Sequence, residues 1–165
     1  MIRLPGLKSA LKNYIVDALK SSDAPAVAGL HAQGFANSWT DGDFIQLLNK
    51  PGVFGFVARR AGKPDSDPLG FVIARTAADE AEILTIAVAR QARRIGLGRS
   101  LMDAVLRHLH SERIGSLFLE VSESNAAAIA LYHKLGFHHV ASRPDYYAKK
   151  AGGHDAAIVM RCDLA

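Results

Sequence analysis

Arg90, Arg93, Arg94 and Arg99 crowd around Gly96 and Gly98 in the stretch Ile86-Ala87-Val88-Ala89-Arg90-Gln91-Ala92-Arg93-Arg94-Ile95-Gly96-Leu97-Gly98-Arg99. Glycines carry no Cβ, so backbone N–H groups near them can converge on an anion. Arginines add charge-assisted, often bidentate bonds to phosphate oxygens. The apolar run ending at Val88 reads as a strand, and Leu101, Val105, Leu106 and Leu109 mark a helix after Gly98. A helix start adds its positive end to the loop. Strand, glycine loop, arginines and helix together suit a pyrophosphate. A dinucleotide fingerprint would need glycine at Leu101, and a P-loop would need glycine at Arg93 and lysine at Arg99. The bland alternative is a tight strand–helix turn with solvated arginines.

A second group of residues suits proton transfer. In Ser116–Val121 (SLFLEV), strand alternation puts Phe118 and Glu120 on one face with Ser122, and Leu119 and Val121 on the other. A carboxylate in an apolar strand is costly unless solvated or paired. Asn125 is placed to cap the next helix, and Tyr132 follows two turns along the same face. Each has a plain structural reading: Glu120 capping the helix, Tyr132 in the core, Asn125 as a cap alone. Histidines do not suggest a metal. His108 and His110 are two apart on a helix, His138 and His139 point to opposite strand faces, and no His/Cys spacing suits zinc. Cys162 reads as an inert core thiol.

The elements that must carry these groups follow from periodicity and breakers. Tyr14–Leu19 reads as a first strand. Ser22 and Asp23 offer a cap, with Pro25 in the first turn of a helix reaching about Ala36. Thr40–Asp43 starts a second helix that Pro51-Gly52 stops. Strands are expected over Val53–Ala61, Leu69–Thr76 and Ala81–Ala89, then the helix from Gly98. A strand over Ser116–Val121 leads to a helix that Gly136 ends, with final strands at His139–Lys149 and Ala156–Asp163. Strands, then helix–strand–helix–strand–strand, give a mixed α/β layer around one sheet.

Composition sets the outer bounds. The 165 residues suit one domain, taken as 13–165, with residues 1–12 expected as an N-terminal extension open to disorder. Met1–Lys12, broken by Pro5 and Gly6, is not a signal peptide. No apolar run approaches the roughly 18 residues of a membrane span. One cysteine excludes an internal disulfide and fits a reducing cytoplasm. A net charge of +4 favours an anionic partner without choosing one. Aromatics are not interleaved with the arginines as a nucleic-acid stacking platform would need.

The pattern Arg93-x-x-Gly96-x-Gly98 resembles the acyl-CoA pyrophosphate loop of the GNAT acetyltransferase superfamily. The run LEVxxSNxxAIxLYxKLGF, Leu119 to Phe137, resembles its RimI-type branch, the N-terminal alanine acetyltransferases of a small-subunit ribosomal protein. Arg143-Pro144-Asp145-Tyr146-Tyr147 and Asp155–Met160 resemble N-terminal amine acetyltransferases. The resemblance implies a GNAT acyl-CoA N-acyltransferase fold, α/β (α+β), with a mixed central sheet and helices on both faces. It implies acetyl-CoA as cosubstrate, no metal, and direct transfer without a cysteine nucleophile. Ile86, Ala87 and Val88 would face the pantetheine. Arg93, Arg94, Ile95, Gly96, Leu97, Gly98 and Arg99 would hold the pyrophosphate, and Asn125 would touch CoA. Glu120 would be the base and Tyr132 the acid, with Glu82 a rival base that also suits a structural or water-holding use. Phe35, Trp39, Tyr146 and Tyr147 would line the substrate side, although Phe35 suits a core role and Tyr146, more than Tyr147, suits cross-strand packing. The partner would be a ribosomal-protein N-terminus, with no membrane, no direct nucleic-acid binding and a monomer or weak dimer. An α-amino group, pKa about 7.7–8.0, is roughly one-third neutral at pH 7.5, against about one part in a thousand for lysine. A lysine or small-molecule amine, or a non-catalytic acyl-CoA-binding role, remains open. Ser122-Glu123 departs from a pair that is often basic in that branch.

Overall fold

The structure, a computed structural model, describes residues 13–148 and 154–164, with the side chains of 145–148 and 154 excepted. The expected extension 1–12 lies outside the described residues. The elements are β1 (Tyr14–Ala18), α1 (Ala24–Gly34), α2 (Asp41–Leu48), β2 (Val53–Arg60), β3 (Gly70–Ala77), β4 (Glu80–Val88), α3 (Leu97–Ser111), β5 (Ser116–Ser122), α4 (Ala126–Lys134), β6 (His138–Ala148) and β7 (His154–Asp163). Short 3-10 turns stand at Ser21–Asp23 and Arg90–Ala92. The strands hydrogen-bond in the order β1-β2-β3-β4-β5-β7-β6. β4 and β5 are parallel, whereas β1/β2, β5/β7 and β6/β7 are antiparallel, so the sheet is mixed. A parallel pair requires a crossover, and α3 supplies it. The described residues form two compact units, one running to Ile73 and adding Thr85–Val105, the other Ala74–Leu84 with the residues from Leu106 onward.

In the first unit, β1 pairs with β2 from Tyr14↔Arg60 to Ala18↔Phe56. Pro25 stands in the first turn of α1 as expected. Asp23, expected to cap that helix, makes no side-chain cap bond. Its carboxylate instead accepts from Arg59 Nη2 at 2.9 Å and from the Lys20 N–H at 2.8 Å. The charge-assisted bond to arginine outcompetes a neutral cap. α1 ends at Gly34, two residues before the expected Ala36, because Phe35 turns extended (φ −120, ψ 135). Thr40 and Asp43 form a reciprocal capping box for α2. The core here is aromatic, with Phe44 and Phe71 fully buried and their rings edge-to-face at 5.7 Å.

α3 buries Leu97, Leu101, Met102, Val105 and Leu109, one helical stripe. Gly70 lets its start approach the sheet. A Cβ there would lie 2.5 Å from Leu97 Cδ2 and 3.0 Å from the Ala87 carbonyl oxygen. A side chain there would force the buried Leu97 side chain to move and would press on the Ala87 carbonyl.

In the second unit, β5 pairs with β7 from Ser116↔Asp163 to Ser122↔Ala157, and Glu80–Glu82 of β4 run parallel to Ser116–Phe118. β5 alternates as its sequence predicts: Leu117, Leu119 and Val121 are buried, Phe118, Glu120 and Ser122 half-buried. Asn125 caps α4, its Oδ1 accepting the Ala128 N–H at 3.2 Å. α4 stops at Gly136, φ +97, and the Phe137 N–H returns to the Tyr132 carbonyl at 3.0 Å. Among the described residues no helix is long and apolar enough to cross a membrane.

Candidate active site

The glycine–arginine loop lies in the first unit and is built as its sequence suggests. β4 delivers Ile86, Ala87 and Val88, each half-buried, to a 3-10 turn at Arg90–Ala92. The Ala89 N–H is held by the Leu69 carbonyl at 2.8 Å. Beyond the turn, Arg94 (φ +62) and Gly96 (φ +86) are both left-handed. Glycine takes that conformation freely, whereas arginine pays of order 1–2 kcal/mol. Such strain persists where the surroundings hold it, commonly at ligand sites. Arg90, Arg93, Arg94 and Arg99 are exposed, Ile95 and Gly98 half-buried, and Leu97 is buried as the first residue of α3. The first turn of α3 carries no acidic residue, so nothing there offsets the positive helix end. Arg99 meets Asp103 at 4.0 Å, a loose exposed pair worth little. Arg93 Nε donates to the Val88 carbonyl at 3.3 Å, closing the loop on the strand end that feeds it.

The two proton-transfer candidates lie in the second unit, on consecutive elements. Glu120, on β5, has its side chain 27% exposed and paired with Arg143 Nη1 at 3.0 Å. It therefore does not cap α4; Asn125 does. Tyr132 is 5% exposed, its ring 5.7 Å from that of Phe137. Burial pushes its phenol up to about 12, so it is a proton holder at every physiological pH. Glu82, the rival base, is paired with Arg75 in an exposed salt bridge. Asp155, buried on β7, accepts from the hydroxyls of Ser122 and Ser124 and so ties down the turn leading to Asn125. Burial and, after it, the nearby Asp163 push the Cys162 thiol up, leaving it protonated and unreactive. Among the described residues no three His, Cys, Asp or Glu side chains gather as a metal site would need.

Phe35 and Trp39 come together in the first unit, around His31. The His31 ring is sandwiched between Phe35 (4.1 Å, 5°) and Trp39 (4.9 Å, 21°). The Trp39 backbone N–H donates to His31 Nδ1 at 3.2 Å. Phe35 and Trp39 lie beyond the last residue of α1, so the stack is made by the turn folding back over His31 and no helical spacing announces it. Tyr146 and Tyr147 lie on β6, Tyr147 in register with Asp155; their side chains fall outside the described part. Arg143, next to them in sequence, is the polar partner that spacing alone did not reveal.

Residues 24–137 match the Acetyltransferase (GNAT) family. The chain is 33% identical over 144 residues to the [ribosomal protein bS18]-alanine N-acetyltransferase of Escherichia coli K12, covering 87% of this chain and 94% of that one. It is 34% identical over 154 residues to the Salmonella typhimurium enzyme of that name, covering 91% and 97%. The crystal structure of the ribosomal-protein-S18-alanine N-acetyltransferase from Escherichia coli superposes with a TM-score of 0.83 at 31% identity, covering 92% of this chain and 94% of that one. Ard1 from Thermoplasma volcanium superposes with 0.79 at 26% identity, covering 93% and 99%. The chain belongs to the GNAT acetyltransferase family, as an N-acetyltransferase of the RimI type.

Proposed function

We propose that this enzyme transfers acetyl from acetyl-CoA directly to the α-amino group of a protein N-terminus, an alanine of a small-subunit ribosomal protein. One observation carries the chemistry. A partly exposed carboxylate, Glu120, and a buried phenol held protonated, Tyr132, stand on consecutive elements. Amine acylation needs that acceptor and that donor. The names and near-complete coverage of the bacterial relatives support the substrate class.

In this reading residues 13–165 act as one catalytic domain, and Gly96, Leu97 and Gly98 with Arg93, Arg94, Ile95 and Arg99 hold the pyrophosphate. The exposed arginines and acid-free helix start fit that group. Ile86, Ala87 and Val88 offer backbone groups to the pantetheine, and Asn125 adds a polar contact to CoA beside its cap. Phe35, Trp39, Tyr146 and Tyr147 line the substrate side. Glu120 takes the amine proton, directly or through one water, as the nitrogen attacks the thioester carbonyl. The new C–N bond forms and the C–S bond breaks. The Tyr132 phenol near 12 is about 3.5 units weaker as an acid than a thiol near 8.5. Tyr132 therefore stabilises the departing sulfur as a hydrogen-bond donor, and solvent supplies the final thiol proton.

The test is mass spectrometry with two peptides. One starts with free alanine and holds no lysine; the other is N-terminally blocked and holds one lysine. Acetylation of the first alone supports the reading. Acetylation of the second alone, or of neither while acetyl-CoA still binds, overturns it.

A further inference from the structure

Tyr14 belongs to β1, far in sequence from any residue assigned to the reaction, yet its hydroxyl reaches the phosphate loop. Its Oη lies 2.6 Å from Ser100 Oγ and 3.3 Å from the Gly96 carbonyl oxygen. Ser100 Oγ in turn donates to the same carbonyl at 3.1 Å, and the Ser100 N–H at 3.0 Å. Each hydroxyl has one proton to give. Either Tyr14 donates to Ser100 and Ser100 to Gly96, or the order reverses. Both arrangements set a hydroxyl proton on the Gly96 carbonyl.

That carbonyl controls the amide on its other side. The peptide is planar and trans, so the Gly96 C=O and the Leu97 N–H point in opposite directions. With the C=O fixed along α3, the Leu97 N–H projects out of the helix start with its neighbours. Gly96 sits at φ +86 with open space where a side chain would be. No side chain of its own restrains this peptide; the Ser100 N–H holds its carbonyl from the helix, and the hydroxyl pair adds a second restraint from outside it.

We infer that Tyr14 is a positioning residue for acyl-CoA: with Ser100 it locks the Gly96–Leu97 peptide so that the Leu97 N–H is set toward the pyrophosphate before the ligand arrives. The inference rests on the acetyl-CoA reading of the loop. It adds that β1, at the edge of the sheet among the described residues, serves cofactor affinity. Preorganised donors save the ligand the cost of ordering them.

The experiment compares wild type with Tyr14→Phe and Ser100→Ala, using acetyl-CoA and S-acetylpantetheine, which lacks the pyrophosphate. Tyr14→Phe keeps the ring and removes one hydroxyl. Its Kd and KM for acetyl-CoA are expected to rise about 3- to 10-fold, the range of one net hydrogen bond. kcat at saturating acetyl-CoA, and affinity for S-acetylpantetheine, should hold. Because the two hydroxyls act as one chain, the double variant should lose less than the product of the two single losses. Equal weakening toward both thioesters, or unchanged acetyl-CoA affinity in Tyr14→Phe, overturns the inference while leaving the loop assignment standing. Failure of the wild type to bind acetyl-CoA overturns the parent reading and this inference with it.

Discussion

Replacing His31 with asparagine should flatten the acid side of the stability profile. Burial lowers the pKa of His31 from its ordinary 6.5, so the folded protein holds it neutral where the unfolded chain would protonate it. Its contribution is therefore complete above pH 6.5 and is lost as pH falls below that value. The structure shows what resists the proton: Nδ1 already accepts the Trp39 N–H at 3.2 Å, and Phe35 and Trp39 cover both faces of the ring. In the limit where the native ring stays neutral, moving from pH 7.5 to 5.5 costs about 1.4 kcal/mol. For a chain of this size that is about 3–5 °C in Tm. The asparagine carries an amide oxygen close to the position of Nδ1 and has no proton to gain. It will be less stable at both pH values, since stacked rings contribute about 0.5–1.5 kcal/mol per pair. The quantity to read by differential scanning calorimetry is the change in Tm between the two pH values. Wild type should lose more than His31→Asn, by up to about 3–5 °C. Equal losses would refute the reasoning, because the pH dependence would then come from elsewhere.

Tyr132→Phe should lower kcat about 100-fold or more while leaving the KM for acetyl-CoA within about 2-fold, the signature of a donor used in the transition state; steady-state kinetics at saturating peptide reads this directly. Gly96→Glu should abolish measurable acetyl-CoA binding by calorimetry, since it sets a carboxylate beside the phosphates and forces a left-handed side chain at φ +86. Gly70→Val should destabilise the protein by about 1–3 kcal/mol in urea unfolding, because its Cβ would stand 2.5 Å from Leu97 Cδ2 and 3.0 Å from the Ala87 carbonyl.

What the sequence made legible was local. The glycine–arginine loop is contiguous, so its spacing was enough to place it between a strand and a helix. Asn125 could be read as a cap because the bond it makes spans only three residues. α3 and β5 carry strong periodicity; α3 starts within a residue of Gly98, and β5 lies within a residue of its expected span. The opposite holds for pairings set by sheet register. Arg143 meets Glu120 only because β6 and β5 both pair with β7. Tyr14 and Ser100 meet across 86 positions. Asp23 looked like a cap because nothing near it in sequence announces Arg59. α1 is rich in alanine and glycine, with little contrast between its faces, so its end was set by the Phe35 stack rather than by any local stop.

The sandwich around His31 also gives the enzyme a built-in optical reporter. Trp39 is the one tryptophan in the sequence, and its indole lies 4.9 Å from the His31 ring. Native emission excited at the red edge of protein absorption therefore originates from the turn between α1 and α2. A charge appearing on the neighbouring imidazole would change that emission and so, on the proposed reading of Trp39 as a substrate-side residue, would a bound peptide. The unlabelled protein can thus be followed by fluorescence for both events, and the two separate by titrating acid in one series and peptide in the other.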